Sequence, residues 1–271
     1  MRANVFQVPA ALIGFFVVIL LTGCGTLPSG KRWADDATLL PGWNRLGRSA
    51  LNAATSPRTW LPLAGAGMLH VGDMDKKAAE WASDHRPIFG DMETATQASD
   101  DGGHWLEYWM YATLLATPSG PDPAGWVVSK AKGIGIEWAS VDITEIVTSE
   151  LKSVGIRERP DETDNFSFPS GHASRAFSRA TLASRNIRAM NLPGPVEYSL
   201  RGATEIMAAG TGWARVEAGV HYPSDVLAGA ALGYFLSAFI HDAFLGEPED
   251  GVMIQVVPTG DQVEVQASWR F

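Results

Sequence analysis

Arg215-Val-Glu-Ala-Gly-Val-His221-Tyr-Pro-Ser-Asp225 is the stretch on which the reading of this chain turns. Pro223-Ser224-Asp225 marks a helix start, because proline suits the first helical turn and Ser and Asp cap free N–H groups. The apolar run Val226 to Ile240 follows, with Gly229 and Gly233 four apart to admit close helix packing. His221 and Asp225 are also four apart, so the carboxylate could hold one imidazole nitrogen and raise the basicity of the other. Arg215 adds a planar cation matched to phosphate oxygens.

Working outward, Pro169-Ser170-Gly171-His172 opens a helix from His172 to Arg188. There the Ser hydroxyl and free backbone N–H groups favour an anion, and glycine lets the backbone come close. Further upstream stand Lys152 and Arg159-Pro160. Each element alone is weak: a Lys and an Arg seven apart are usually a solvated helix face. In order they supply two histidines, three cations, one carboxylate and a Gly-Ser turn. Phosphoryl transfer needs electrostatic clamping and positioning, which this set provides. Lys152, Arg159 and Arg215 would clamp the phosphate, His221 would attack it, and His172 would protonate the departing oxygen. No metal is needed, because the cations do what Mg²⁺ does elsewhere, and no Cys/His metal spacing occurs.

These residues resemble the tripartite signature of the type 2 phosphatidic acid phosphatase superfamily, which includes bacterial class A acid phosphatases and vanadium haloperoxidases. Lys152 to Pro160 fits its first block, Pro169 to His172 its second and Arg215 to Asp225 its third; Ala214 replaces the family's serine. The resemblance implies an all-α helical bundle with the motifs at converging helix ends. It implies His221 as nucleophile, His172 as acid and base, and Lys152, Arg159, Ser170, Gly171 and Arg215 as phosphate ligands. It implies no cofactor, vanadate serving as phosphate mimic or, in a haloperoxidase, as cofactor. A non-catalytic envelope protein is the other alternative.

The ends of the chain speak to location. Arg2, the apolar Val8 to Leu21 and Leu21-Thr22-Gly23-Cys24 have the layout of a secretory signal. The sequence there resembles a bacterial lipobox, so residues 1–23 are expected to be a signal peptide and Cys24 the lipidated mature terminus. An uncleaved anchor is the alternative, although the apolar run is short for a span of about 20 residues. Residues 24–34 read as a tether, with Pro28, Ser29 and glycines. Residues 247–271 alternate around Pro258-Thr-Gly-Asp261 and predict a short β-hairpin, able to cover the bundle or pair with another subunit. One hairpin is too little for a barrel, whose smallest form has about eight strands. The lipoprotein resemblance implies that an Asp after the Cys would retain the protein in the inner membrane, so Gly25 there leans toward the outer one, with the protein facing the periplasm.

Residues 35–246 are left for the helical phosphatase domain. Periodicity predicts helices over Asp35–Ala54, Arg58–His70, Lys76–Ser83, Trp105–Ala116, Gly125–Ser153, His172–Arg188, Val196–Thr211 and Pro223–Leu245. His85 to Asp101 reads as a long connection, and Asp100-Asp101-Gly102-Gly103-His104 as a flexible acidic turn that could line the pocket or select a headgroup, although capping the helix that follows explains it more simply. Trp105, Tyr108, Trp109 and Tyr111 read as core, and His70, His85 and His241 carry no pattern. No later helix has 18 uninterrupted apolar residues, which favours a soluble bundle tethered by lipid over a partly embedded one. A net charge of −9 disfavours nucleic acid as a partner. A phosphorylated membrane lipid or a small phosphate ester fits better.

Overall fold

The computed structural model describes residues 25–71 and 73–246, together with the backbone of 252–259 and 262–269. Eight α-helices form among them: α1 (Trp43–Thr55), α2 (Pro57–Leu69), α3 (Met74–His85), α4 (Met92–Ala116), α5 (Pro123–Val154), α6 (Gly171–Ala189), α7 (Gly194–Glu217) and α8 (Pro223–Ile240). A short π-helical turn, His241–Leu245, extends α8.

Local chemistry explains the ends of these helices. Asp122 caps α5 by accepting from the Gly125 N–H (2.8 Å), with Pro123 in the first turn. Ser129, Gly133, Ile136, Ser140, Thr144 and Thr148 then recur every three or four residues as its buried stripe. α6 buries Ala173, Ala176, Ala180 and Ala183 beside Ser174 and Ser178, a surface of small residues. α8 brings glycine to it: a Cβ on Gly229 would lie 2.6 Å from the Ser170 carbonyl oxygen. The two helices that carry the site therefore touch nearly backbone to backbone, as the glycine spacing predicts. One helical stretch, Pro223–Leu245, is long and apolar enough to cross a membrane, and 67% of its apolar window is buried in the bundle.

Three expectations are corrected. The predicted helix over Asp35–Ala54 begins only at Trp43, because Asp35 and Asp36 bind Arg32 and Lys31 outside any helix. The connection expected from His85 to Asp101 is largely helix. Asp91 caps α4 by accepting from the Thr94 N–H (2.8 Å), and the helix runs straight through Gly102 and Gly103. Gly102 is needed there because the Thr211 side chain fills the space of its Cβ.

The third concerns the tether. Residues 25–34 pack on one end of the bundle. Trp33 is only 4% exposed and joins Leu114, Ile136, Ile240 and Leu245 in a buried cluster. Its ring covers Gly133, and its backbone N–H donates to the Pro118 carbonyl (2.8 Å). The Gly120 N–H donates to the Gly25 carbonyl (2.8 Å). Lys130 lies with its ammonium 5.1 Å from the Trp33 ring and donates to the carbonyls of Leu114 and Thr117 at the end of α4 (2.8 and 2.7 Å).

Trp109 and Tyr111 are half-buried, whereas Trp105 and Tyr108 point outward. At the C-terminus β1 (Val252–Thr259) pairs antiparallel with β2 (Gln262–Trp269), Val256 opposite Val265. The helical bundle alone establishes the fold class; the hairpin remains an expectation from the alternation. Cys24, the signal segment and the turn at 260–261 lie outside the described residues.

Candidate active site

Four helix ends meet at the pole opposite Trp33. α5 delivers Lys152 in its last turn, α6 begins at Gly171, α7 carries Arg215 in its last turn, and α8 starts just after His221. α7 runs six residues beyond the predicted Thr211, which places Arg215 on a helix. The segment 155–170 crosses between these ends. The Ser170 N–H donates to the Asp225 carbonyl (2.9 Å), tying the second motif block to the third.

Lys152, Arg159, Gly171, His172, Arg215 and His221 line one cavity of about 230 Å³, with Glu145, Thr148, Ser149, Ser174 and Arg175. Ser170 and Asp225, the remaining candidates, are fully buried behind it. The Ser170 hydroxyl caps α6 by accepting from the Ala173 N–H at 3.5 Å. The free N–H groups of that first turn and four cations face one carboxylate, so the cavity is strongly attractive to an anion. Arg215 Nε is buried without a hydrogen-bond partner among the described residues. A phosphate oxygen would supply one.

The relation between His221 and Asp225 is looser than the spacing suggests. Nδ1 lies 3.7 Å from Oδ2, an ion-pair distance beyond hydrogen-bond length. Other donors saturate the carboxylate: Arg157 Nη1 (2.6 Å), the Ser167 hydroxyl (2.6 Å) and the Tyr222 N–H (2.9 Å). Burial pushes the Asp225 carboxyl up, but these donors and the adjacent His221 hold it below the usual range. His221 is itself pushed down by burial against the pull of Asp225, so its ring is a neutral base.

One acidic residue and one arginine escaped the sequence reading. Arg157 sits inside the gap of the first block and bridges Asp225 to Asp75 of α3, donating to the latter at 2.6 Å. It stacks over Tyr222, 4.0 Å from the ring centroid. Asp75 also accepts from the Ser224 N–H (2.9 Å) and hydroxyl, so α3 is pinned to the start of α8. Asp100 of α4 lies 3.0 Å from His172 Nε2. The acidic Asp100–His104 segment is thus helix interior, and its first residue reaches the pocket. The run of carboxylates beside two glycines is the signal that marked this segment as able to line the pocket.

His172 is pushed down to about 4, first by burial and then by Arg215 and Arg175, with Asp100 pulling the other way. In the free pocket the ring is neutral; a bound phosphate would supply the negative charge that reverses this balance. Lys152 is pushed down to about 8 by burial and by Arg159. Its ammonium donates to the Phe166 carbonyl (2.6 Å), while Arg159 Nε is held by Asp164 (2.7 Å). Among the described residues no group of three or more His, Cys, Asp or Glu could hold a metal ion.

Known proteins similar to this chain are phosphatases. Residues 137–247 match the family model described as the PAP2 superfamily. The chain is 30% identical over 152 residues to decaprenylphosphoryl-5-phosphoribose phosphatase of Mycobacterium tuberculosis, 56% of this chain and 79% of that one. It is 38% identical over 95 residues to lipid A 1-phosphatase of Porphyromonas gingivalis, 34% of this chain and 20% of that protein. The fold is similar to a transmembrane PAP2-type phosphatidylglycerolphosphate phosphatase from Bacillus subtilis. The TM-score is 0.51 at 21% identity, covering 68% of this chain and 94% of that one.

Proposed function

The chain belongs to the PAP2 superfamily and is a phosphoric ester hydrolase, and we propose that it acts through a phosphohistidine on His221. PAP2 phosphatases are metal-independent, so the chemistry rests on side chains alone. The single observation carrying the reading is the shared cavity of Lys152, Arg159, Gly171, His172, Arg215 and His221.

His221 Nε2 attacks phosphorus; a P–N bond forms as the P–O bond to the alcohol breaks, and His172 gives that oxygen its proton. Water then attacks the phosphohistidine, His172 takes the water's proton, and inorganic phosphate leaves. Lys152, Arg159, Arg215 and the α6 N–H groups neutralise the equatorial oxygens throughout. Asp225 holds the His221 ring electrostatically from 3.7 Å, a separation that can tighten once substrate is bound.

The substrate class is a phosphomonoester or pyrophosphate with a hydrocarbon portion. Leu151, Val154, Ile156 and Phe166 are exposed beside Lys152, a lip suited to such a group. The named substrates of the similar proteins, decaprenylphosphoryl-phosphoribose, lipid A and phosphatidylglycerolphosphate, support the same class. Lipidation at Cys24, an outer-membrane location facing the periplasm, and a hairpin that covers the bundle or pairs subunits complete the proposal.

Incubation with a labelled phosphoryl substrate tests the roles. Wild type should trap label transiently, His221→Ala should trap none, and His172→Ala should label slowly from an ester with a good leaving group. Equal labelling of all three proteins refutes the assignment.

A further inference from the structure

Resting on the phosphatase reading and on an N-terminal membrane attachment, we propose that the pocket faces away from the anchoring bilayer. Its substrate is then an amphiphilic phosphate ester arriving from outside that leaflet.

Three helices give the separation independently. Trp33 covers Gly133, and from Gly133 to Lys152 α5 advances about 28 Å at 1.5 Å per residue. Leu27 and Pro28 line a cavity with Ala189, at the far end of α6, about 27 Å from Gly171. Gly25 bonds Gly120 just beyond the end of α4, and Ala116 stands about 24 Å from Asp100, the residue beside His172. The agreement means that the N-terminal segment and the pocket occupy opposite poles.

The attachment cannot swing to close this gap. Cys24 is joined directly to Gly25, whose carbonyl is bonded to the bundle, and the Trp33 ring is buried nine residues later. Arg32 with Asp35, and Lys31 with Asp36, brace the turns between and after them (3.2 and 2.9 Å). The same holds whether Cys24 is acylated or Val8 to Leu21 stays as a span, since at most three residues, Thr22 to Cys24, separate the attachment from Gly25. A flexible tether would let the pocket graze its own membrane; a docked one holds it roughly 25 Å off.

The experiment uses the full membrane-attached chain in liposomes. Phosphatidic acid is placed either in the anchoring vesicles or in separate acceptor vesicles, with a short-chain soluble phosphomonoester as the third arm. A second protein carries a Gly/Ser insert of roughly 20 residues between Cys24 and Gly25, enough to span about 25 Å. Both proteins should hydrolyse the soluble ester equally. Wild type should be several-fold slower than the insert on phosphatidic acid in its own vesicles, and should favour acceptor vesicles or the soluble ester. Wild type matching or exceeding the insert on its own lipid overturns the proposal and means that the bundle lies along the bilayer. Absence of release in every arm refutes the phosphatase reading, whereas wild type that fails to sediment with vesicles refutes the attachment; either removes the proposal's footing.

Discussion

Two buried His–Asp–Arg triples stand at opposite poles of this molecule, and only one belongs to the phosphate pocket. At that pole Arg157 grips Asp225 (2.6 Å) while His221 Nδ1 waits 3.7 Å away. At the other, Arg185 holds Asp242 through two bonds (2.8 and 2.7 Å), and His241 Nδ1 lies 3.2 Å from the same carboxylate. By hydrogen-bond geometry the second triple is the better formed. Its cavity of about 160 Å³, however, is lined by three arginines and three carboxylates. The cavity beside His221 is lined by four cations and one carboxylate, Glu145. An anion gains from the imbalance and gains little from a balanced ring. A histidine near an aspartate identifies nothing by itself; the surplus of positive charge does.

The sharpest way to break this contrast is to remove each histidine. His221→Ala should lower phosphate release by about 10⁴-fold or more, whereas His241→Ala should turn over substrate at close to the wild-type rate. Equal losses would mean that both triples serve one reaction.

The arginines separate the poles differently. Arg185→Ala strands a buried carboxylate and should cost about 3–5 kcal/mol in urea unfolding, with kcat retained in the folded fraction. Arg157→Ala should lower kcat as well as stability, because Asp225 is then free to turn from His221. Unchanged kcat in that variant would reduce Arg157 to a structural brace.

Smaller effects lie in the pH profile. Lys152 carries its charge below about 8 and loses it above, so kcat/KM should decline as pH rises through that value. Lys152→Arg should flatten the decline, since a guanidinium stays protonated. Asp100 pulls the His172 pKa upward. In Asp100→Asn the protonated acid is therefore lost earlier on raising pH, and the alkaline limb of kcat should move to lower pH, with about a tenfold smaller maximum. An unmoved limb would show that Asp100 does not act through His172.

Much of the pocket was legible because charged residues at fixed spacing leave few options for what they hold. All eight motif residues fall in or directly behind one cavity. The supporting residues were harder to see. Arg157 counts as filler within a motif gap until Asp75, 82 residues away, is shown beside it. The start of α4 was missed because Gly102-Gly103 reads as a turn, while Thr211, which fills the space beside Gly102, is distant in sequence. Trp33 was read as tether because proline and glycine surround it, and its partners at 130–136 belong to another element. Long-range packing, not local preference, decided each of these.

Glycine contacts between α6 and α8 have one more consequence. His172 opens the first helix and His221 immediately precedes the second, and backbone meets backbone at Gly229 and Gly233. The gap between the two imidazoles is thus set by main-chain geometry, like jaws on a fixed hinge pin. Such jaws keep the attacking and departing atoms in line across phosphorus without any helix having to move, so selection among esters is left to the rim, where the alcohol portion lies.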